Sequence, residues 1–461
     1  MTQYDSVVPV EPPSRQMFGF ARNPRTAAVA VFVTFALNGF NFASWAARLP
    51  AVRDALEMRP EQVGLLLLVA SIGALSALPL SGLVVQRLGA RRTIVTFAAV
   101  NTTGLVIAST GTQLHTVWIV MPALVVFGVG TAVWDAAMNI EGAAVEQRLG
   151  RSIMPRFHAG FSFGTIAGAG VAAAAAAWHV SVLAHLAVVL SVSLLAVVVS
   201  SRYFLPEGTH AAAEPDDAAG PDGGAADAAE PDDAGARAAA PRSQALRAWR
   251  ERRTVLIGLV VMAAALTEGA ANDWIALAVV DGFETDHQTG AIAFALFVTG
   301  MTGMRLLGTG LLDRWGRVAV LRMAAALSLI GLGVFGLAPG LPLALAGAVL
   351  WGMGAALGFP VGMSAAADEP ARAASRVAVV ATIGYTAFLA GPPLLGFLAG
   401  LVGYRHSLLA IGVPVLIGLL VVRAASPIGP APGARPAAGP VLPDGVSSRA
   451  SVPDLDDDAA N

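Results

Sequence analysis

The sequence predicts an all-α membrane protein whose twelve transmembrane helices form two pseudo-symmetric six-helix bundles. Three observations carry that expectation. Of the 461 residues 56% are hydrophobic and only 13% charged, with mean hydropathy +0.67, against roughly 25% charged in soluble domains. Apolar runs of about 20 residues recur, each long enough to cross a bilayer core as a helix. In lipid only a helix or a closed barrel pairs all its own backbone groups. A charged, glycine-containing turn also occurs twice between apolar runs. It reads Gly82-Leu-Val-Val-Gln86-Arg87-Leu-Gly89-Ala-Arg91-Arg92 and then Gly308-Thr-Gly-Leu-Leu-Asp313-Arg314-Trp-Gly316-Arg317, with Arg322 just beyond.

The first span runs from about Thr26 to Ala47, after a polar tail over 1–25. Its apolar run is too long for the h-region of a cleavable leader, so this helix is expected to remain as an anchor. The second span begins after Pro60 and ends near Val85, in the first charged turn; the third covers about 93–109. Gly111-Thr-Gln-Leu-His115 leads to the fourth, about 116–139, and a polar link from Glu141 to Arg156 to the fifth, about 157–177. Trp178-His-Val-Ser181 turns into the sixth, which ends near Ser201. Residues 206–242 hold Ala, Asp, Glu, Pro and Gly and almost no large apolar side chain. Such a segment cannot offset its ordering entropy and is expected to be disordered. Six spans follow at about 254–279, 290–312, 318–338, 341–363, 377–400 and 406–423. The expected organisation is a bundle over 26–203, an acidic linker over 204–252, a second bundle over 253–423 and a disordered tail over 424–461.

Arginine bias sets the orientation. The links after spans two, four, six, eight and ten hold Arg87, Arg91 and Arg92; Arg148, Arg151 and Arg156; Arg242 to Arg253; Arg314, Arg317 and Arg322; and Arg372 and Arg376. The links after spans three, five, seven and nine hold none, and the exceptions on that side are Arg48, Arg53, Arg59 and Arg405. Both termini and the linker are therefore expected in the cytoplasm, with the helices in the cell membrane. All 29 basic residues are arginine, and the absence of cysteine excludes disulfides and thiolate metal sites. There is no phosphate-cradling loop, metal-ligand cluster or nucleophile elbow, so ATP-driven transport and hydrolysis lack their residues. No cofactor, metal or nucleic-acid partner is expected.

The internal repeat is broader than the charged turn. Asn41-Phe-Ala-Ser-Trp45 matches Gly269-Ala-Ala-Asn-Asp-Trp274, and His158-Ala-Gly160 answers Thr382-Ile-Gly384-Tyr385, at offsets of about 224 to 229. Parallel duplication of this kind fits one transporter class. Six-plus-six spans, the long central linker and Asp313-Arg-Trp-Gly-Arg317 resemble the major facilitator superfamily over about residues 26–423. Ala43-Ser-Trp-Ala-Ala-Arg-Leu-Pro50, Asp135-Ala-Ala-Met-Asn139 and Glu268-Gly-Ala-Ala-Asn-Asp-Trp274 resemble a bacterial branch of YbjJ-type inner-membrane proteins, loosely near fucose-type permeases. The resemblance implies a monomeric secondary transporter with a conformational switch at the two turns. Its residues would be Gly82, Gln86, Gly89 and Arg91, then Asp313, Arg314, Gly316 and Arg317, latching the halves in one state and parting in the other. Gln86 stands where the pattern has aspartate, which leaves the charged role to the second copy. The fifth span carries Gly160, Gly164 and Gly168 but not the Gly-Pro signature of drug/proton antiporters. Read from the residues alone, the alternative is that the turns are positive-inside anchors with helix caps.

Ionisable groups inside spans mark a pathway by default, because each costs roughly 2.5–3.5 kcal/mol to insert. Asp135 has Asn139 on its face at i+4, and Glu268 has Asn272 likewise, while Asp273 follows toward the outer end and Arg305 lies deep in span eight. Asp135, Glu268 and Asp273 are candidate proton-coupling groups, able to load a proton on one side and release it on the other. The alternative is a structural ion pair, such as Arg305 with a carboxylate. Asn38, Asn41, Ser44 and Trp45 share a face of span one and with Asn139, Asn272 and Arg305 are candidate cavity lining, Trp45 alternatively belonging to the interfacial belt. Glu141 reads as solvated at the interface, and His158 as a titratable or a merely interfacial histidine. The expected function is alternating-access transport of a small organic solute with protons, as importer of a sugar-like solute or, alternatively, as exporter. A non-transporting receptor or scaffold is the reading from another class.

Overall fold

The computed structural model describes residues 23–150, 153–206, 247–369 and 372–428. The expected tails and linker (1–25, 204–252 and 424–461) lie largely outside them. The described helices are α1 (Pro24–Ala46), α2 (Leu49–Ala55), α3 (Pro60–Leu88), α4 (Ala90–Gln113), α5 (Val117–Leu149), α6 (Met154–Ala177) and α7 (Val182–Ser201). After the linker come α8 (Arg252–Gly282), α9 (His287–Leu337), α10 (Leu341–Ala355), α11 (Gly358–Ala366), α12 (Ala373–Ser407) and α13 (Gly412–Val421). Pro24, Pro60 and Pro342 sit in the first turn of their helices, where a missing N–H costs no intrahelical bond. Asn23 caps α1, accepting the N–H of Arg25 at 2.9 Å, and Asp286 caps α9, accepting that of Thr289 at 2.8 Å.

Among the described residues ten helices are long and apolar enough to cross a membrane, and two of them run for 51 residues. A straight helix of that length would be about 77 Å long, more than twice the roughly 30 Å hydrocarbon core. Each therefore turns back on itself at a glycine, Gly316 (φ 75°, ψ 166°) and Gly403 (φ 80°, ψ 159°). The turn between α3 and α4 uses the same backbone state at Gly89 (φ 78°, ψ 156°). Only glycine adopts positive φ with extended ψ readily. The result is twelve crossings in an all-α fold. Gly89 and Gly316 stand 227 positions apart, as do Glu57 (φ 49°) and Glu284 (φ 50°) at the opposite helix ends. The repeat is written in the backbone as well as in the side chains.

The helix ends form two faces. The linker face carries Gly89, Gly316 and the ends of α7 and α8 that flank the linker; the far face carries α2, His115, His179, Asp281 and Gly403. A large apolar core runs through both halves toward the far face, from Trp45, Leu49, Val52 and Leu186 to Trp274, Phe294 and Tyr404. The linker-face end of the first half has a separate core of Val85, Ile94, Val145, Phe157 and Phe204. The halves meet along two seams, α3 against α12 and α6 against α9. On the first the backbones touch: a Cβ on Gly64 would lie 2.5 Å from the Pro392 carbonyl oxygen, and one on Gly396 2.8 Å from that of Pro60. The Gly160/Gly164/Gly168 stripe packs on Phe32, Ala36 and Phe40 of α1, within the first half.

Two stretches depart from the sequence expectation. The polar link from Glu141 is mostly helix, because its acids are used internally. Glu141 is 1% exposed and accepts the N–H of Leu205 at 2.9 Å, so it is not a solvated interface residue. Glu146 accepts the N–H groups of Ile153 and Met154 at 2.6 and 2.7 Å and starts α6. The short α2 was not anticipated, its seven residues being too few for a periodic signal.

Gly316→Ala is expected to destabilise the protein by about 1–3 kcal/mol, the strain of a side chain in that backbone region. Gly82→Ala, in a helix with no atom near the added methyl, should cost nothing. Thermal unfolding of the two purified variants checks the contrast.

Candidate functional site

Span ten contains Pro360, which has no N–H to give the carbonyl four residues earlier. The helix accordingly stops at Ala355 and restarts at Gly358, where the sequence predicted one continuous span. The Ala356 carbonyl freed there accepts a hydrogen bond from Nε of Arg305 on α9 at 3.3 Å. Nη2 of Arg305 reaches both carboxylate oxygens of Glu268 on α8, each at 3.0 Å. One guanidinium thus satisfies a broken helix and an intramembrane carboxylate together. Both side chains remain partly exposed, at 29% and 24%. Glu268 therefore sits in the ion pair that the sequence left as its structural alternative.

Asp135 and Asp273 are different. Neither side chain has a hydrogen bond or ion pair among the described residues. Asn139 donates its amide to the backbone carbonyl of Asp135 at 2.9 Å, leaving the Asp135 carboxylate free. Asp135, in the first half, lies within electrostatic reach of Tyr385 on α12 of the second. His158 on α6 packs edge-on against Phe35, with ring centroids 5.3 Å apart, and lies within electrostatic reach of Arg305 across the other seam. Asp273 faces a narrow apolar crevice between α8 and α12, beside Gly391 and Pro392. Asn272 is partly exposed.

The span-one face is more deeply buried than cavity lining would be. Asn41 is 1% exposed and donates to Asn101 at 3.3 Å, and Asn101 donates to Thr131 at 2.9 Å, a network inside the first half. Trp45 is 3% exposed within the apolar core rather than in a belt, and Asn38 is 4% exposed with an unpaired amide nitrogen.

At the linker face, Asp313, Arg314 and Gln86 are exposed, and Asp313 makes no ion pair among the described residues. Arg317 instead grips Asp368, just beyond α11, at 2.8 and 2.9 Å, and Arg253 joins it at 2.7 Å. Arg91 is partly exposed, and Gly82 has open space around it. Glu251 pairs with Arg376 at 2.6 Å, and that hydrogen bond holds its carboxyl below its ordinary value of 4.5. All these pairs lie within the second half. At the far face the pairs cross between halves: Arg53 to Asp281 at 3.2 Å and Asp54 to His287 at 2.8 Å, with Arg53 5.3 Å over the Tyr404 ring. The structure is closed at the far face. Sequence reasoning missed this closure, although Asp54 and Asp281 stand 227 apart and the repeat offset could have flagged them.

Two related six-helix halves around intramembrane charges, closed at one face, define a polytopic membrane transporter. The profile of the Major Facilitator Superfamily matches residues 31–317 and 257–452, and the chain belongs to that superfamily. It is 30% identical over 393 residues to the uncharacterised transporter y4wD of Sinorhizobium fredii, covering 83% of this chain and 96% of that one. It is 26% identical to the membrane protein MosC of Rhizobium meliloti, covering 88% and 92%. Among solved structures, a point mutant of the nucleoside transporter NupG superposes with TM-score 0.67 at 14% identity over 87% of this chain and 99% of that one. The transporter FucP in the outward conformation gives 0.56 at 14% identity, over 87% and 98%. The protein is a transporter, not an enzyme.

Arg305→Gln, which strands Glu268 and weakens the hold on the Ala356 carbonyl, is expected to cost about 1.5–3 kcal/mol, the range for charge-assisted hydrogen bonds. Combining it with Glu268→Gln should cost less than the two singles together, in a double-mutant cycle of thermal unfolding. Because the Glu251 carboxyl is held below 4.5, its pairing contributes above that value and is lost as the pH falls through the lowered one. Glu251→Gln should therefore flatten the acid side of a melting-temperature profile.

Proposed function

We propose that the protein is a proton-coupled secondary transporter of a small polar organic solute, working by alternating access, with its linker face in the cytoplasm of the cell membrane. The carrying observation is that Asp135 and Asp273 are intramembrane carboxylates with no partner among the described residues, whereas a third, Glu268, is tied to Arg305. Unpaired carboxylates are costly inside a membrane unless they take up protons or cations. Asp135 and Asp273 are therefore the proton carriers, and the Glu268–Arg305 pair, anchored at a helix break, is the group a solute meets. The break in span ten supports this reading, since discontinuous helices line the solute sites of many transporters. The arginine-rich links support the orientation.

Import of a sugar-like solute is the direction we favour, from the resemblance of three motifs to YbjJ-type proteins, a branch loosely near fucose-type permeases, and the fifth span without its proline. Likeness in fold to a fucose:proton symporter and a nucleoside transporter is consistent with it. A proton moving through 100 mV supplies roughly 2.3 kcal/mol for such work.

Proteoliposomes loaded with fucose or uridine, as first probes, should show counterflow of the labelled solute. Asp135→Asn and Asp273→Asn should retain counterflow but lose accumulation driven by a proton gradient. Gradient-driven uptake at wild-type rates in both variants would remove the coupling assignment. Gly64→Val places a methyl against the Pro392 carbonyl and should open the far face. With no native cysteine, an Asn272→Cys reporter should then react faster with an impermeant maleimide added from outside.

A further inference from the structure

Arg48 stands at the N-cap position of α2 at the far face and is 4% exposed. Nη2 donates to the Val180 carbonyl at 2.7 Å, but Nε and Nη1 have no partner among the described residues. His185 of α7 lies within electrostatic reach of Arg48, is also 4% exposed, and has no partner on either ring nitrogen among the described residues. A buried cation beside an unsatisfied imidazole is unfavourable unless an acceptor comes between or alongside them.

Arg48 also lines a cavity of about 300 Å³ that opens at this face. Its other polar walls are Thr112, Gln113, His115, His179 and Ser181 of the first half and His287 of the second. Among the described residues no aspartate or glutamate lines it. The acid closest in the ion-pair network, Asp54, is already held by Arg53 and His287. One fixed cation, three imidazoles and no acid make a concave surface that selects negative charge. Its volume suits a small ligand.

We propose that this cavity is an oxyanion site, taking a phosphate or carboxylate group of a solute or lipid headgroup between Arg48, His115 and His179 of the first half and His287 of the second. It is separate from the Glu268–Arg305 pair and does not depend on the transported solute. Its occupant lies against Arg48 and bridges the halves where the far face closes.

Thermal unfolding of the purified full-length protein against inorganic phosphate, at fixed ionic strength, tests it. A saturable rise in melting temperature is expected. Arg48→Gln should weaken the apparent affinity about tenfold or more. Should that variant not fold, His179→Asn serves: His179 has φ 54°, a conformation asparagine also adopts, and the same weakening is expected in smaller measure. Short-chain phosphatidic acid, titrated in parallel, separates the sources. A saturable, Arg48-dependent shift from lipid alone assigns the site to a headgroup, and one from phosphate assigns it to a soluble anion. A rise that never saturates, or that is the same in the wild type, Arg48→Gln and His179→Asn, would overturn the proposal as a general salt effect.

Discussion

Inside hydrocarbon, a backbone carbonyl without a donor has no water to turn to. Pro360 creates that problem at Ala356, and Arg305 resolves it while also neutralising Glu268. The break in span ten, the charge in span eight and the carboxylate in span seven are thus one structural unit. None of the three is tolerable alone at that depth. An intramembrane arginine that holds both a helix together and a carboxylate in place responds to either. A ligand that drew Glu268 away would leave the guanidinium freer to move, and with it the joint between α10 and α11.

The two faces are fastened differently. At the far face the ion pairs and the apolar core both run from one half to the other. At the linker face the strong pairs of Arg317, Arg253 and Arg376 bind helices of the second half to one another. The second half is thereby stiffened as a body at its linker-face end. A rigid body held by partly exposed ion pairs at one end is suited to tilting, because such pairs exchange for water at small cost.

The span count, the duplication and the glycine turns were legible because periodicity, insertion cost and the φ > 0 requirement all act locally along the chain. The candidates split by the same criterion. Glu268 and Arg305 stood out as charges in apolar runs, but their pairing depends on how α8 and α9 pack. Asn41 looked like cavity lining from its helical face, yet the face turned out to point toward Asn101. Glu141 looked solvated because the fate of its carboxylate is decided by Leu205, 64 residues away. Pro360 was visible throughout; what was not visible is that Arg305 would supply its missing donor.

The seam between α3 and α12 has a mechanical consequence. Where Gly64 and Gly396 meet each other, Pro60 and Pro392, backbone lies on backbone, and only at Gly400 does a side chain, that of Glu61, press on a glycine of this set. Knobs seated in holes must be lifted out before two helices can slide, whereas bare ribbons can roll over one another. This seam is a bearing, with its friction set by main-chain contact.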